Sequence, residues 1–278
     1  MRTLPAGPRR LRPSAAAARM LLVLLYLCPM AAAQPQFADV PMQHLPANAD
    51  FTHSITAADV DGDGDADLIL GNRGAQNRLY LSEGDSTFSD VTTTRLPADT
   101  DLTTAIATGD VDGDGDLDVV VGNAAANRLY LNDGTGVFTD ASAARLPADN
   151  DETLAVAFVD VDGDGDLDLV LGTSRGQDRL YINDGDGTFV DETAARLPTD
   201  TSSTFALGAA DIDGDGDADL IVGKPWGVQD LLYENDGQGV FTDRTAGQLP
   251  PQNRGTTGIA LGDIDADGDL DVVIGCNG

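Results

Sequence analysis

Between Leu117 and Asp160 the apolar residues fall into four short groups, over 118–122, 128–131, 137–141 and 154–159, with polar stretches between them. None is long enough for an amphipathic helix, and each has the length of a β-strand. The group at 118–122 carries an unbroken Val run, as in a strand covered on both faces. NDGTG at 132–136 supplies Asn, Asp and Gly where a hairpin reverses and positive φ is needed, so the strands at 128–131 and 137–141 are predicted to be antiparallel neighbours. NDGDG at 183–187 and NDGQG at 235–239 repeat the turn.

The whole unit recurs. DVDGDGDAD at 59–67, DVDGDGDLD at 110–118, DVDGDGDLD at 160–168, DIDGDGDAD at 211–219 and DIDADGDLD at 263–271 begin 51, 50, 51 and 52 positions apart. A period near 50 marks a propeller or another repeat architecture. Four short strands per period are one propeller blade, and a strand apolar on both sides fits a sheet held between two others. The expected fold is all-β: a β-propeller of four-stranded antiparallel blades, about five of them. Aromatics make up only 5% of the chain and there are 32 Gly, so Val, Leu, Ile and Ala must do the packing. Trp226 is the only Trp and no Gly-Gly pair occurs, which speaks against WD40 and kelch versions.

Charge narrows the partners. The 278 residues carry 16 Lys+Arg against 47 Asp+Glu, a formal net charge of -31, so nucleic acid and anionic membrane surfaces repel the chain. With 41% hydrophobic and 23% charged residues the composition still supports a core. Arg2, Arg9, Arg10, Arg12 and Arg19 precede an apolar run from Met20 to Cys28 and then Ala31, Ala32 and Ala33, the pattern of an export signal over 1–33 cleaved before Gln34. That run is too short to span a membrane. The expected location is therefore outside the cell, at its surface, or in a periplasm. The mature domain, 34–278, keeps only Cys276 and cannot form an internal disulfide, which makes metal the candidate brace.

The acidic loops supply it. In the loop at 59–67 carboxylates occupy positions 1, 3, 5, 7 and 9, and Gly64 stands at position 6. A hard cation needs six to eight oxygens, and a tight loop provides them when alternate side chains turn inward about a glycine bend. Asp59, Asp61, Asp63 and Asp67 are read as side-chain ligands and Asp65 as a backbone-carbonyl ligand. An all-oxygen, highly charged loop without Cys or His favours calcium over zinc and magnesium. An EF-hand would need Glu at position 12, where Leu70 and Val121 stand. About five calcium ions in a structural role are expected.

With the loop, the following apolar strand, the N-R-L-Y-L strand and the NDGxGxFTD hairpin, the repeat resembles the FG-GAP/VCBS family, which includes integrin α-subunit propellers, secreted bacterial proteins and some fungal lectins. The resemblance implies four-stranded blades with calcium in the loop between the first two strands. It extends the ligand set to Asp110, Asp112, Asp114, Asp116 and Asp118; Asp160, Asp162, Asp164, Asp166 and Asp168; Asp211, Asp213, Asp215, Asp217 and Asp219; and Asp263, Asp265, Asp267, Asp269 and Asp271. Ala266 replaces a glycine at a non-ligating position, so the fifth site is expected to survive. The family generally has six to eight blades. QFADVPMQHLPANAD at the start aligns on VFTDASAARLPADND, so Phe37 begins the last strand of a blade, while the other end stops short of a third strand. Further blades or self-association are the expected remedy.

The recurring arginines (Arg78, Arg128 and Arg179 at a strand start; Arg95, Arg145 and Arg196 before Leu-Pro) are read as partners of nearby carboxylates. His44 and His53 suggest no Ser-His-Asp or Cys-His arrangement, and the loops commit more than half of the acids. The functional expectation is a secreted, calcium-binding adhesion or binding module for an extracellular protein or glycan, not an enzyme. The rivals are a lectin-like carbohydrate-binding propeller and a fragment of a calcium-dependent polysaccharide lyase. The single Trp counts against the first, and the near-constant spacing, without insertions for catalytic groups, against the second.

Overall fold

The computed structural model describes residues 44–266 and 270–277. The export segment over 1–33, the strand expected at Phe37, and Asp267 and Asp269 lie outside them. Strands β1 (Thr52–Ala58), β2 (Asp67–Asn72), β3 (Arg78–Ser82) and β4 (Phe88–Asp90) form the first sheet, in that order and antiparallel throughout. The second is β5 (Thr103–Gly109), β6 (Asp118–Asn123), β7 (Arg128–Asn132) and β8 (Phe138–Asp140); the third is β9 (Thr153–Val159), β10 (Asp168–Thr173), β11 (Arg179–Asn183) and β12 (Phe189–Asp191). The fourth is β13 (Ala206–Ala210), β14 (Asp219–Gly223), β15 (Leu231–Asn235) and β16 (Phe241–Asp243), and the fifth is the pair β17 (Gly255–Gly262) and β18 (Asp271–Asn277). These are propeller blades, none of them a closed sheet. Their first strands lie side by side in chain order from β1 to β17.

The strands stand where the apolar groups predicted them. All six residues of β6 and of β10 are buried, since these second strands are packed on both faces. Four apolar clusters fill the four spaces between successive sheets. Ile69, Leu79, Val119 and Tyr130 mark the first; Val120, Leu129, Leu169 and Tyr181 the next; Val170, Leu180, Leu220 and Tyr233 the third; Ile221, Leu232 and Val272 the last. The pattern did not foresee one feature, a short turn after each fourth strand: helical in α1 (Thr92–Arg95), α2 (Ser142–Arg145) and α3 (Thr193–Arg196), and broken by non-helical Ala246 and Gly247 in α4 (Thr245–Gln248). Four residues carry too little periodicity to register as a helix.

Glycine sets the distance between blades. A Cβ added to Gly172, in β10, would meet Thr204 Cγ2 at 2.6 Å and Ala155 Cβ at 3.2 Å. Gly172→Ala is therefore expected to cost about 1 to 3 kcal/mol through overpacking, read as a lower midpoint in urea unfolding.

Candidate metal centres

Each acidic loop links the first strand of its blade to the second, so the loops of all five blades share one rim. In the second loop Asp110 turns inward, its Oδ1 accepting from the Gly113 N–H at 2.9 Å and its Oδ2 from the Gly115 N–H at 3.0 Å. Gly115 has φ +95, a conformation that side-chain-bearing residues rarely adopt, and this permits the reversal. Asp118 opens β6 fully buried and works as a clasp. Its Oδ2 accepts from the Val111 N–H at 3.1 Å and its Oδ1 from the Asn132 N–H at 2.8 Å, tying the loop to the third strand. Asp67, Asp168 and Asp219 make the same pair of bonds.

The fold brings positions 1, 3 and 9 together. In five groups (Asp59, Asp61 and Asp67; Asp110, Asp112 and Asp118; Asp160, Asp162 and Asp168; Asp211, Asp213 and Asp219; Asp263, Asp265 and Asp271) one oxygen from each side chain lies within 4.8 Å of the others. In the first four loops positions 5 and 7 stand outside these groups. Asp63, Asp114 and Asp164 each accept from the backbone N–H two residues on. In the first four blades the position 7 carboxylates face the hairpin of their own blade: a Cβ on Gly84 would meet Asp65 Oδ2 at 2.7 Å. Ala266 takes φ +62, matching Gly62 and Gly113 at +75 and +71, so at this position the fifth loop has the backbone conformation of the others.

Three carboxylates at this rim each have one oxygen without a hydrogen-bond partner. Asp61 Oδ1, Asp112 Oδ1 and Asp162 Oδ1 occupy the same loop position and are buried with no hydrogen bond. Burial, and then repulsion from the acid at position 5, raises the pKa of all three side chains. Burial also pushes Asp118, Asp168 and Asp219 up to about 6, although two backbone N–H groups pull each of them down. Such a site is unfavourable to the charged form and short of a cation. An oxygen-only donor set without Cys or His fits a hard divalent ion.

The recurring arginines are paired as expected. Arg95 Nη1 lies 3.8 Å from Asp61, Arg196 Nη1 3.2 Å from Asp162, and Arg145 Nη1 3.6 Å from Asp186. Sequence reasoning missed the asparagine of the NDGxG hairpin as a side chain with its own task. Asn132 Nδ2 donates to the Val60 carbonyl at 2.8 Å, 72 residues away, so the second blade's hairpin is stapled to the first blade's acidic loop. Asn183 to Val111 and Asn235 to Val161 repeat the staple. Its recurrence was the available signal, and the turn alone accounted for it.

A profile described as an FG-GAP-like repeat matches residues 59–121, 110–171, 160–222 and 227–274, over half of the chain, and the first three matches open on the first Asp of an acidic loop. The chain belongs to the FG-GAP-like repeat family. Among solved structures, these FG-GAP-like repeats are similar to BBS1N in complex with ARL6DN, with TM-score 0.54 and 15% identity over 85% of this chain and 65% of that one. They are also similar to an Agrocybe aegerita lectin solved for its recognition of non-reducing terminal N-acetylglucosamine (TM-score 0.41, 25% identity, 67% of this chain and 49% of that one). A third likeness is to the V. cholerae biofilm matrix protein Bap1 (TM-score 0.48, 18% identity, 81% and 35%). The chain thus spans less than two thirds of each of those chains, and the first of the three supports the blade architecture alone. No curated protein matches it. Among the described residues no helix is long and apolar enough to cross a membrane.

Proposed function

We propose that this protein is an exported binding module whose acidic loops hold calcium, one ion per blade, and that the calcium is structural. The observation that carries this reading is the set of buried, unpartnered oxygens Asp61 Oδ1, Asp112 Oδ1 and Asp162 Oδ1, each on a side chain that converges with two further carboxylates of its loop. FG-GAP-like repeats fit a binding module. On this reading the module acts by binding; of its two histidines, His44 bonds the Ser86 carbonyl at 2.9 Å and His53 lies exposed beside Phe51. When bound, calcium would offset two of the three carboxylate charges gathered in each loop and fix the turn that joins the first two strands.

A site whose dissociation constant lies ten-fold below the ambient calcium adds about 1.4 kcal/mol, and five such sites roughly 7, comparable with the net stability of a domain. Isothermal titration of the chelator-treated chain is expected to show about five calcium sites, with a sharp rise in Tm on calcium addition and a much smaller one with magnesium. A melt unchanged between excess chelator and excess calcium would sink the proposal.

A further inference from the structure

The fourth blade breaks a rule that the first three keep. At the start of the third strand Arg78, Arg128 and Arg179 each bridge two aspartates. Arg78 reaches Asp50 at 2.7 Å and Asp90 at 3.3 Å, Arg128 reaches Asp101 at 2.8 Å and Asp140 at 3.4 Å, and Arg179 pairs with Asp151 and, at 3.6 Å, with Asp191. In the fourth blade the arginine is Leu231 and the first aspartate is Ser202, but the second aspartate is retained as Asp243. Asp243 is exposed and accepts from the Thr245 N–H at 2.9 Å, and among the described residues it has no ion pair.

Loss of the guanidinium coincides with a wider cleft. The cleft beside Arg179 in the third blade measures about 360 Å³, and its counterpart in the fourth about 670 Å³. The larger cleft is lined by Leu231, Leu249, Pro250 and Pro251, with Asp243 and Gln229 supplying polar groups. The turn bordering it, α4, is opened by Gly247 at φ +91, and its last residue is Gln248 where α1 to α3 end in arginine. Trp226, 64% exposed, stands on the turn that leads into Gln229.

We infer that this cleft receives an arginine side chain from a basic segment of a partner protein, in the place that the chain's own arginine fills in the other three blades. The apolar lining suits the methylene stem, and Asp243 suits the guanidinium, which favours a carboxylate over a neutral acceptor. The net charge of -31 draws a cationic partner toward the surface. This names a partner class for the binding module proposed above and rests on that reading.

The test is a titration of the ¹⁵N-labelled full chain, in calcium buffer, with capped Gly-Arg-Gly and capped Gly-citrulline-Gly peptides. Citrulline keeps the size of arginine and removes its charge. Saturable shifts at the amides of Leu231, Asp243 and Gly247 are expected with the arginine peptide, at least five-fold weaker with citrulline. They are expected to vanish in Asp243→Asn and in Leu231→Arg, whose own guanidinium takes Asp243. Leu231→Arg should fold, because three blades already carry arginine there. No saturable shift at these amides, an equal response to citrulline, or undiminished binding to Leu231→Arg would overturn the inference. A well-dispersed, calcium-dependent spectrum in any of those cases leaves the binding-module reading standing.

Discussion

Lys224→Met is expected to destabilise the protein by about 3 to 5 kcal/mol, the cost of stranding buried charge. Lys224 directly follows β14 and is fully buried. Its ammonium donates to Thr204 Oγ1 at 2.8 Å and to the Ser202 carbonyl at 3.4 Å, and it pairs with Asp200 and, at 3.5 Å, with Asp178. Asp178 belongs to the third blade and Lys224 to the fourth, so this cation joins two blades on the side away from the acidic loops. The corresponding positions in the first three blades are Asn72, Asn123 and Thr173, none of them charged. A methionine fills the same volume but leaves two carboxylates with no counter-charge, and water reaches Asp178 poorly, at 4% exposure. Urea unfolding of the single variant and of the triple variant Lys224→Met, Asp178→Asn, Asp200→Asn separates the causes. The triple variant should recover part of the loss, because neutral amides no longer need the cation. A single variant within about 1 kcal/mol of the parent would show that the ammonium carries no such burden.

The effect of calcium on stability should depend steeply on pH. In the metal-free protein Asp118, Asp168 and Asp219 have pKa values raised to about 6 by burial, against 3.8 for an ordinary aspartate. Between these values the folded chain holds protons that the unfolded chain has released, so metal-free stability is greatest at the acid end and falls as pH rises through the window. Each shift corresponds to about 3 kcal/mol. Calcium held as proposed would compete with the same protons and act in the opposite sense, gaining affinity as the carboxylates ionise. The difference in Tm between calcium-saturated and chelated protein should therefore be widest near pH 7.5 and shrink strongly by pH 5. Equal differences at both pH values would mean that these buried carboxylates do not form the sites.

Much of this was legible in residues close together in the chain. The Val run of 118–122 forecast a strand buried on both faces, because burial fixes side-chain periodicity within a few residues. The NDGxG turns forecast the hairpins, because positive φ is a local demand of the backbone. A five-fold recurrence near 50 residues made blades of the pattern, and alternating Asp about a glycine placed the loops.

Other features depended on contacts between blades. Positions 1, 3, 5 and 9 of each loop read alike as side-chain ligands in sequence, yet in the first four loops only 1, 3 and 9 converge, because position 9 is locked into the second strand by two backbone N–H groups and position 5 accepts from the backbone two residues on. The staple from Asn132 to Val60 joins residues 72 apart, and Lys224 meets Asp178 across 46. Periodicity and turn chemistry are set by neighbours along the chain, so the sequence alone determined the strands, the hairpins, the repeat and the acidic loops. Which charges are buried, which are paired and which blade leaves its cleft open are set by neighbours in space, and only the packing of one blade against the next decided them.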